Sequence, residues 1–345
     1  MRPVSSGSTE FPVPGKTDPL AVVESVRVYV IPMRTRFRGI TVREGMLLRG
    51  PSGWGEFCPF DDYGDAASVP WLAAALEQCT GAWPTPVRTR IPINCTVPAV
   101  DPNTAHDIVK RSGCRTAKVK VADHPGSLAE DQIRVEAVRD ALGQEGAIRV
   151  DANAAWDVDT AVRHIRVLDR SAGGLEYVEQ PCRTVDELAQ VRRRVDVRIA
   201  ADESIRRADD PLHVARAEAA DVAVIKCLPL GGVGRALRIA EECGLPCVVS
   251  SALETSVGLA AEVALAAALP ELPFACGLGT LSLLDGDVVD SAAALTPVDG
   301  FVTVPSEPPR PDPSLLEAHA PTDPVTATRW LARLSRVGSL LGARS

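Results

Sequence analysis

Lysine is scarce in this chain: of 37 basic residues only five are lysines, Lys16, Lys110, Lys118, Lys120 and Lys226. Arginine does the ordinary surface work. Arginine keeps its proton in a protein, whereas a buried lysine can lose it, so a lysine inside an apolar run is a candidate base. Histidine is scarce too, with His106, His124, His164, His213 and His319 all away from the strand ends discussed below. That argues against a zinc site and against a histidine general base. Nine cysteines are scattered without a CxxC pair. The odd number and the apolar settings of Cys95, Cys227, Cys247 and Cys276 read as reduced core thiols of a cytoplasmic protein, not a disulfide frame. No apolar run reaches the ~18 residues of a membrane span, and the first twenty residues contain no hydrophobic segment like a signal peptide. Basic runs are lacking apart from RRR at 192–194, a helix surface, and the net charge is −8 with a pI of 5.3. Nucleic acid and anionic membrane are therefore not expected partners. No glycine-rich phosphate loop is present; GGVG at 231–234 reads as a tight strand-to-helix turn.

What is there is an ordinary globular composition, 46% apolar and 24% charged over 345 residues, enough for one or two domains. Residues 1–19 are rich in Pro, Ser and Gly and read as a disordered lead-in. Residues 20–88 form a small α+β unit, with strands at 22–31 and 40–48, a turn at 50–56 and a helix at 70–79. From 89 to 295 short apolar runs recur at 91–97, 115–121, 147–153, 175–181, 198–204, 221–229, 246–254 and 274–284. Helical stretches separate them at 127–142, 157–170, 184–194, 210–219, 233–243 and 256–268. Strands alternating with helices imply parallel βα units, and this many of them suggest an α/β barrel closed on itself. Residues 296–345 begin Pro-rich and end in a short helix, ATRWLARLSRVGSLL, expected to pack on the small unit.

The middle strands share an ending: an apolar run, one ionisable residue, a turn. In order these residues are Lys118 with Lys120, then Asp151, Glu179, Asp202 and Lys226. In a parallel barrel such positions meet at the C-terminal mouth, where barrel active sites are built. Three carboxylates converge there only if something positive neutralises them. An all-oxygen set points to Mg²⁺, with Mn²⁺ as an acceptable substitute. A small-molecule carboxylate bound to the metal would have a more acidic α-carbon, and a neutral lysine could remove that proton. Lys120 is placed as the base, and Lys118 on the same face of the strand helps to keep it deprotonated.

KVK at 118–120, DAN at 151–153 followed by AW, EQP at 179–181, ADES at 201–204 and VIK at 224–226 resemble the enolase superfamily, in its muconate lactonizing enzyme-like branch. The resemblance spans nearly the whole chain. It implies a modified (β/α)7β TIM-type barrel with an α+β capping domain. It also implies Asp151, Glu179 and Asp202 as Mg²⁺ ligands, Lys120 and Lys226 as an acid/base pair, and Lys118, Asn153 and Glu203 as supporting residues. The seventh strand, VVSSALETS, lacks the histidine of mandelate racemase-like members, and the eighth, GLGTLSLL, lacks the Asp-x-Asp of dipeptide epimerases. VEQPCRT, ADESIR, VVSSALETSVGL and CGLGTLSLL together most resemble the dehydratases of the branch, carbon–oxygen lyases of menaquinone biosynthesis that aromatise a succinyl-bearing cyclohexadiene carboxylate. For such an enzyme Lys120 takes the proton and returns it to the departing hydroxyl, while Lys226 stabilises negative charge as a cation. Ser250, Ser251, Gly277 and Gly279 would line the substrate pocket, which would hold carboxylates through backbone N–H groups. Residues 34–39 and 57–64 would be loops over the mouth, the first arginine-rich and suited to an anionic substrate. A racemase, such as one acting on N-succinylamino acids, or a cycloisomerase remains an alternative on the same scaffold; so does a catalytically dead metabolite-binding barrel. Close relatives include monomers, and a monomer is expected.

Overall fold

A computed structural model describes residues 18–343. The expected lead-in therefore lies outside the described residues except for Asp18 and Pro19. These open a short 3-10 turn, Pro19–Val22, in which the Asp18 carboxylate accepts from Leu20 N.

The N-terminal unit is an antiparallel sheet of β1 (Ser25–Phe37), β2 (Ile40–Gly50) and β3 (Gly53–Phe57). Residues 34–39, expected as a loop, instead carry β1 to Phe37 and turn back within two residues. Arg38 and Gly39 both take positive φ, 51° and 80°, the left-handed pair that matches the twist of a two-residue hairpin. Burial of Met33 and Phe37 draws the strand end inward. The helix Asp65–Thr80, longer than the stretch expected at 70–79, packs Trp71, Leu72 and Ala75 against this sheet. A Cβ at Gly55 would collide with the Ala75 backbone, so only glycine allows the helix this close.

A parallel sheet follows, in the order β11-β10-β9-β8-β7-β6-β5. Its strands are β5 (Cys95–Val97), β6 (Thr116–Lys120), β7 (Ala147–Asp151), β8 (Tyr177–Glu179), β9 (Ile199–Ala201), β10 (Val222–Ile225) and β11 (Cys247–Val249). The strands are short and almost wholly buried, as expected where helices cover a parallel sheet. Each helix lays an apolar stripe on it; in Val158–Ala172 the buried residues are Ala161, Val162, Ile165, Leu168 and Ala172. Asp101, Asp157 and Thr184 cap helix starts, Thr184 in a reciprocal capping box with Glu187.

Three expectations are corrected. The run 91–97 is not one strand: β4 (Arg90–Pro92) leaves the barrel to pair antiparallel with β12 (Phe301–Thr303) before β5 begins. The run 274–284 forms no ladder strand. Cys276 and Gly277 make single parallel bridges to Ile93 and Ser250, and a 3-10 turn, Thr280–Leu283, follows. The chain still spans both edges of the sheet there, because Gly277 lets Ser250 approach; a Cβ on it would sit 2.5 Å from Ser250 Oγ. The helix expected at 210–219 is a single turn, His213–Arg216, cut short by Pro211 before it and by Glu218 at φ 50° after it.

At the C-terminus the helix Pro324–Gly342, capped by Asp323, is longer than the segment expected. It packs on Asp65–Thr80, with Trp330 edge-on to Phe57 at 6.0 Å. Its buried Arg333 donates to the carbonyls of Pro59 (3.1 Å), Phe60 (3.0 Å) and Tyr63 (2.6 Å), and to Ser68 Oγ (3.0 Å). All nine cysteines are free and buried. Among the described residues no helix is long and apolar enough to cross a membrane.

Because Arg333 is the partner of four polar groups, Arg333→Met should leave buried acceptors unpaired and cost about 2–4 kcal/mol. Urea unfolding would measure this; a loss within about 0.5 kcal/mol, the range of an ordinary surface substitution, would contradict the role of that guanidinium.

Candidate active site

Strand register brings the ionisable residues together. Lys120 pairs with Asp151, and Asp151 with Glu179, so the three form a row across β6, β7 and β8. Asp202 and Lys226 directly follow β9 and β10 at the same end of the sheet. Lys118 lies two residues before Lys120 and on the same face of β6. The backbone turns sharply just past these strand ends: Asn153, Ala154 and Gln180 all take positive φ, a cost usually tolerated only where the surroundings over-determine it. Gln180 shows how. Its Oε1 accepts from Asp202 N (2.9 Å) and Ser204 N (3.2 Å), while Nε2 donates to Ser204 Oγ (2.7 Å) and Cys182 O (2.9 Å). The glutamine of the EQP motif thereby sets the backbone that presents Asp202.

Asp151, Glu179 and Asp202 are each 1% exposed, and carboxylates so buried require partners. Lys120 Nζ lies 2.5 Å from Asp151 Oδ2 and 2.8 Å from Asn153 Oδ1. Lys118 Nζ donates to both Glu179 oxygens, at 3.0 and 3.1 Å, and stands 3.3 Å from Asp151. Lys226 Nζ reaches Asp202 Oδ2 at 2.7 Å, and Arg206 Nε reaches Asp202 Oδ1 at 2.9 Å. Arg206, four residues after Asp202, escaped the sequence reading, although an i,i+4 acid–arginine spacing announces such a pair.

The ammonium groups respond unequally. Burial lowers the Lys120 pKa, and the charges of Lys118 and Arg38 add to the effect against the pull of Asp151. Burial likewise lowers Lys226, helped by Arg206 and Lys118 and opposed by Asp202. For Lys118 burial is overcome by Glu179 and Asp151, and its pKa rises. Burial, then the neighbouring Asp151, pushes Glu179 up to about 7. Burial acts the same way on Asp151 and Asp202, but Lys120 with Lys118, and Arg206 with Lys226, hold them well below the usual carboxylate range.

Lys118, Lys120, Asp151, Asn153, Asp202, Lys226, Ser250, Ser251 and Gly277 line one pocket, under a roof of Phe37, Arg38 and Phe60 from the N-terminal unit. Lys118 and Lys226 are buried there, and the Lys120 side chain is 13% exposed. Glu179 lies behind Lys118. Glu203 is reached through Asn153 Nδ2 (3.3 Å) and Arg206 Nη2 (2.5 Å). Gly279 departs from expectation: it faces a separate groove with Arg34, Cys95 and Ile108, because the turn at Thr280 swings it away from the mouth. The backbone donors of Ser250, Ser251 and Gly277 are also engaged already: Ser250 N donates to Ile225 O, Ser251 N to Gly277 O and Gly277 N to Val249 O, and the neighbouring Ala252 N donates to Glu254. Sequence reasoning missed Thr280, which shares a 2.5 Å hydrogen bond with Ser251, and Thr96 on β5. Neither carries a charge that would mark it.

Three buried carboxylates on neighbouring strands are an all-oxygen donor set suited to a hard divalent cation. Among the described residues no three His, Cys, Asp or Glu side chains are gathered closely enough to hold one as they stand; lysine ammonium groups occupy the carboxylate oxygens. A cation would answer the same need for positive charge.

The model of the Enolase C-terminal domain-like family matches residues 102–308 and that of the Enolase N-terminal domain-like family residues 28–79, and the chain belongs to the enolase superfamily. Members of this superfamily generally use a divalent metal. The chain is 67% identical to the o-succinylbenzoate synthase of Thermobifida fusca over 278 residues, 81% of this chain and 86% of that one. It is 50% identical to the o-succinylbenzoate synthase of Mycolicibacterium smegmatis over 321 residues, 93% of this chain and 97% of that one. Its fold is that of muconate lactonizing enzyme from Pseudomonas fluorescens, with a TM-score of 0.74 at 22% identity over 87% of this chain and 99% of that one.

Behind the pocket wall, the fully buried Glu254 accepts from Ala252 N with both oxygens at 2.8 Å, and burial, then Glu56, pushes its pKa up to about 7. A raised acid pKa means the folded chain holds a proton that the unfolded chain has released. The stabilisation is complete below the ordinary value of 4.5 and is lost as pH rises towards about 7. Stability should therefore fall from pH 5 to 7, and Glu254→Gln, which cannot ionise, should flatten part of that slope in denaturant titrations. An unchanged slope would contradict the assignment.

Proposed function

We propose that the chain is an o-succinylbenzoate synthase. It would convert 2-succinyl-6-hydroxy-2,4-cyclohexadiene-1-carboxylate to 2-succinylbenzoate and water, a step of menaquinone biosynthesis. The observation that carries this reading is the pair of buried lysines, Lys120 and Lys226. Both line one pocket with Asp151 and Asp202, from strands four apart, and burial lowers the pKa of Lys120, the base.

Lys120, neutral, takes the proton from ring carbon C1. Asn153 Oδ1 and Asp151 hold its Nζ in place for that transfer. The resulting ammonium then gives the proton to the C6 hydroxyl on the same face as the C6–O bond breaks. Water leaves, the ring becomes aromatic, and Lys120 is neutral again. Lys226 approaches from the far side of the ring of strands, β10 being four strands from β6. With its proton held towards Asp202 it stays an ammonium and opposes the negative charge that builds on the substrate. Asp151, Glu179 and Asp202 would hold Mg²⁺, or Mn²⁺ in its place, which would supply further positive charge against the charge developing on the substrate. Lys118 keeps Glu179 and Asp151 in position, and Glu203 steadies Asn153. Free buried cysteines suit a reducing cytoplasm.

The lowered pKa of Lys226 also suits a second base, which is what a racemase of N-succinylamino acids would need. Incubation of such an amino acid in D₂O separates the readings: exchange of the α-proton from both faces would mark racemase chemistry.

The direct test follows the loss of diene absorbance by the Mg²⁺-loaded protein. Lys120→Ala and Lys226→Ala should each lower kcat by about 10²–10⁴-fold, with the larger loss at Lys120, which acts twice. A Lys120→Ala enzyme within tenfold of wild type would contradict the mechanism.

A further inference from the structure

We infer that Arg38, at the tip of the β1–β2 hairpin, binds the second carboxylate of the substrate, the one at the end of its succinyl arm. This rests on the dehydratase reading, which gives the substrate two carboxylates: one on the ring at the reacting carbon, the other at the end of a three-carbon chain. The second needs a cation or several N–H donors, since an unpaired carboxylate does not leave water cheaply.

The pocket offers few candidates. Of its four cationic side chains, Lys118, Lys120 and Lys226 each lie within 3.1 Å of a carboxylate oxygen. The backbone N–H groups of Ser250, Ser251, Ala252 and Gly277 are engaged within the protein, and Leu253 N donates to Ser251 Oγ at 3.4 Å. Arg38 differs from all of these. Among the described residues its guanidinium makes no hydrogen bond; its nearest carboxylate oxygen is Glu203 Oε1 at 3.8 Å. That oxygen already accepts from Arg206 at 2.5 Å and Asn153 at 3.3 Å. A committed arginine–carboxylate pair is usually two-pronged at hydrogen-bond distance, so the fork of Arg38 is left to face the pocket.

Its position is nevertheless fixed. The two-residue turn holds Arg38 at φ 51°, and its guanidinium stacks on the Phe60 ring at 4.8 Å. The preceding Phe37 ring stands 5.1 Å from Lys120 Nζ, so the tip of the hairpin sits over the proposed base. An arm extending from the ring towards the roof would meet an oriented, permanently charged fork whose N–H groups make no hydrogen bond among the described residues. That makes Arg38 a specificity residue, separating succinyl-bearing substrates from those with an uncharged arm.

The test compares two ligands of the Mg²⁺-loaded full-length protein as competitive inhibitors: 2-succinylbenzoate, and 2-butanoylbenzoate, which replaces the terminal carboxylate with methyl. Wild type should prefer the succinyl acid. Arg38→Gln should weaken 2-succinylbenzoate about 10- to 100-fold and leave 2-butanoylbenzoate within twofold, so that KM rises more than kcat falls. Arg38→Lys, which keeps the charge without the fork, should fall between. If Arg38→Gln weakens both ligands equally, or keeps the wild-type preference, the arginine assignment is overturned while wild-type turnover of the diene leaves the dehydratase reading in place. If wild type neither turns over the diene nor binds the succinyl acid, both readings fall together.

Discussion

The molecule is organised around one electrostatic constraint: three carboxylates held out of water at the ends of adjacent strands. Each of Asp151, Glu179 and Asp202 would be costly there alone. Lys118, Lys120, Lys226 and Arg206 offset that cost through contacts of 2.5 to 3.3 Å. The balance is unequal. Lys118 is held charged by two acids, whereas Lys120 and Lys226 are lowered by burial and by their cationic neighbours. The same crowding that neutralises the acids thus leaves two lysines readier to give up a proton.

The N-terminal unit and the C-terminal helix serve that site by fixing its walls. Buried Arg43 on β2 donates to Leu253 O (2.9 Å), Ala252 O (3.1 Å) and Cys58 O (2.5 Å), which ties the small sheet to the segment after β11. Glu56 on β3 accepts from Tyr29 Oη (2.6 Å), Thr255 Oγ1 (2.5 Å) and Gly258 N (2.8 Å), and so anchors the start of the helix Ser256–Ala268. Arg333 gathers the carbonyls of residues 59–63 from the other side. The roof residues Phe37, Arg38 and Phe60 therefore belong to a braced structure over the lysines.

The sequence was most legible where one residue type recurs in one place. An apolar run followed by a single charge, repeated on successive strands, located Lys118, Lys120, Asp151, Asp202 and Lys226, which meet in one pocket. Helices with a clear apolar stripe, such as Val158–Ala172, were legible for the same reason. What escaped depends on contacts distant in sequence. The segment at 274–284 looks like a strand but makes only three isolated bridges among the described residues, and which way Gly279 faces is decided by the turn after it. Residues 34–39 read as a capping-domain loop by resemblance, yet the burial of Phe37 makes them the end of a hairpin. Backbone donors of the Ser- and Gly-rich rim look available, and only the fold reveals that those of Ser250, Ser251 and Gly277 are engaged.

The most direct test of the central claim is a calorimetric titration of the full-length protein with Mg²⁺, alongside Asp151→Asn, Glu179→Gln and Asp202→Asn. One Mg²⁺ per chain in the wild type, with binding weakened at least tenfold in each variant, is the predicted result. Unchanged Mg²⁺ binding in the three variants would mean that the carboxylate row does not hold the cation, and would contradict the account of the site.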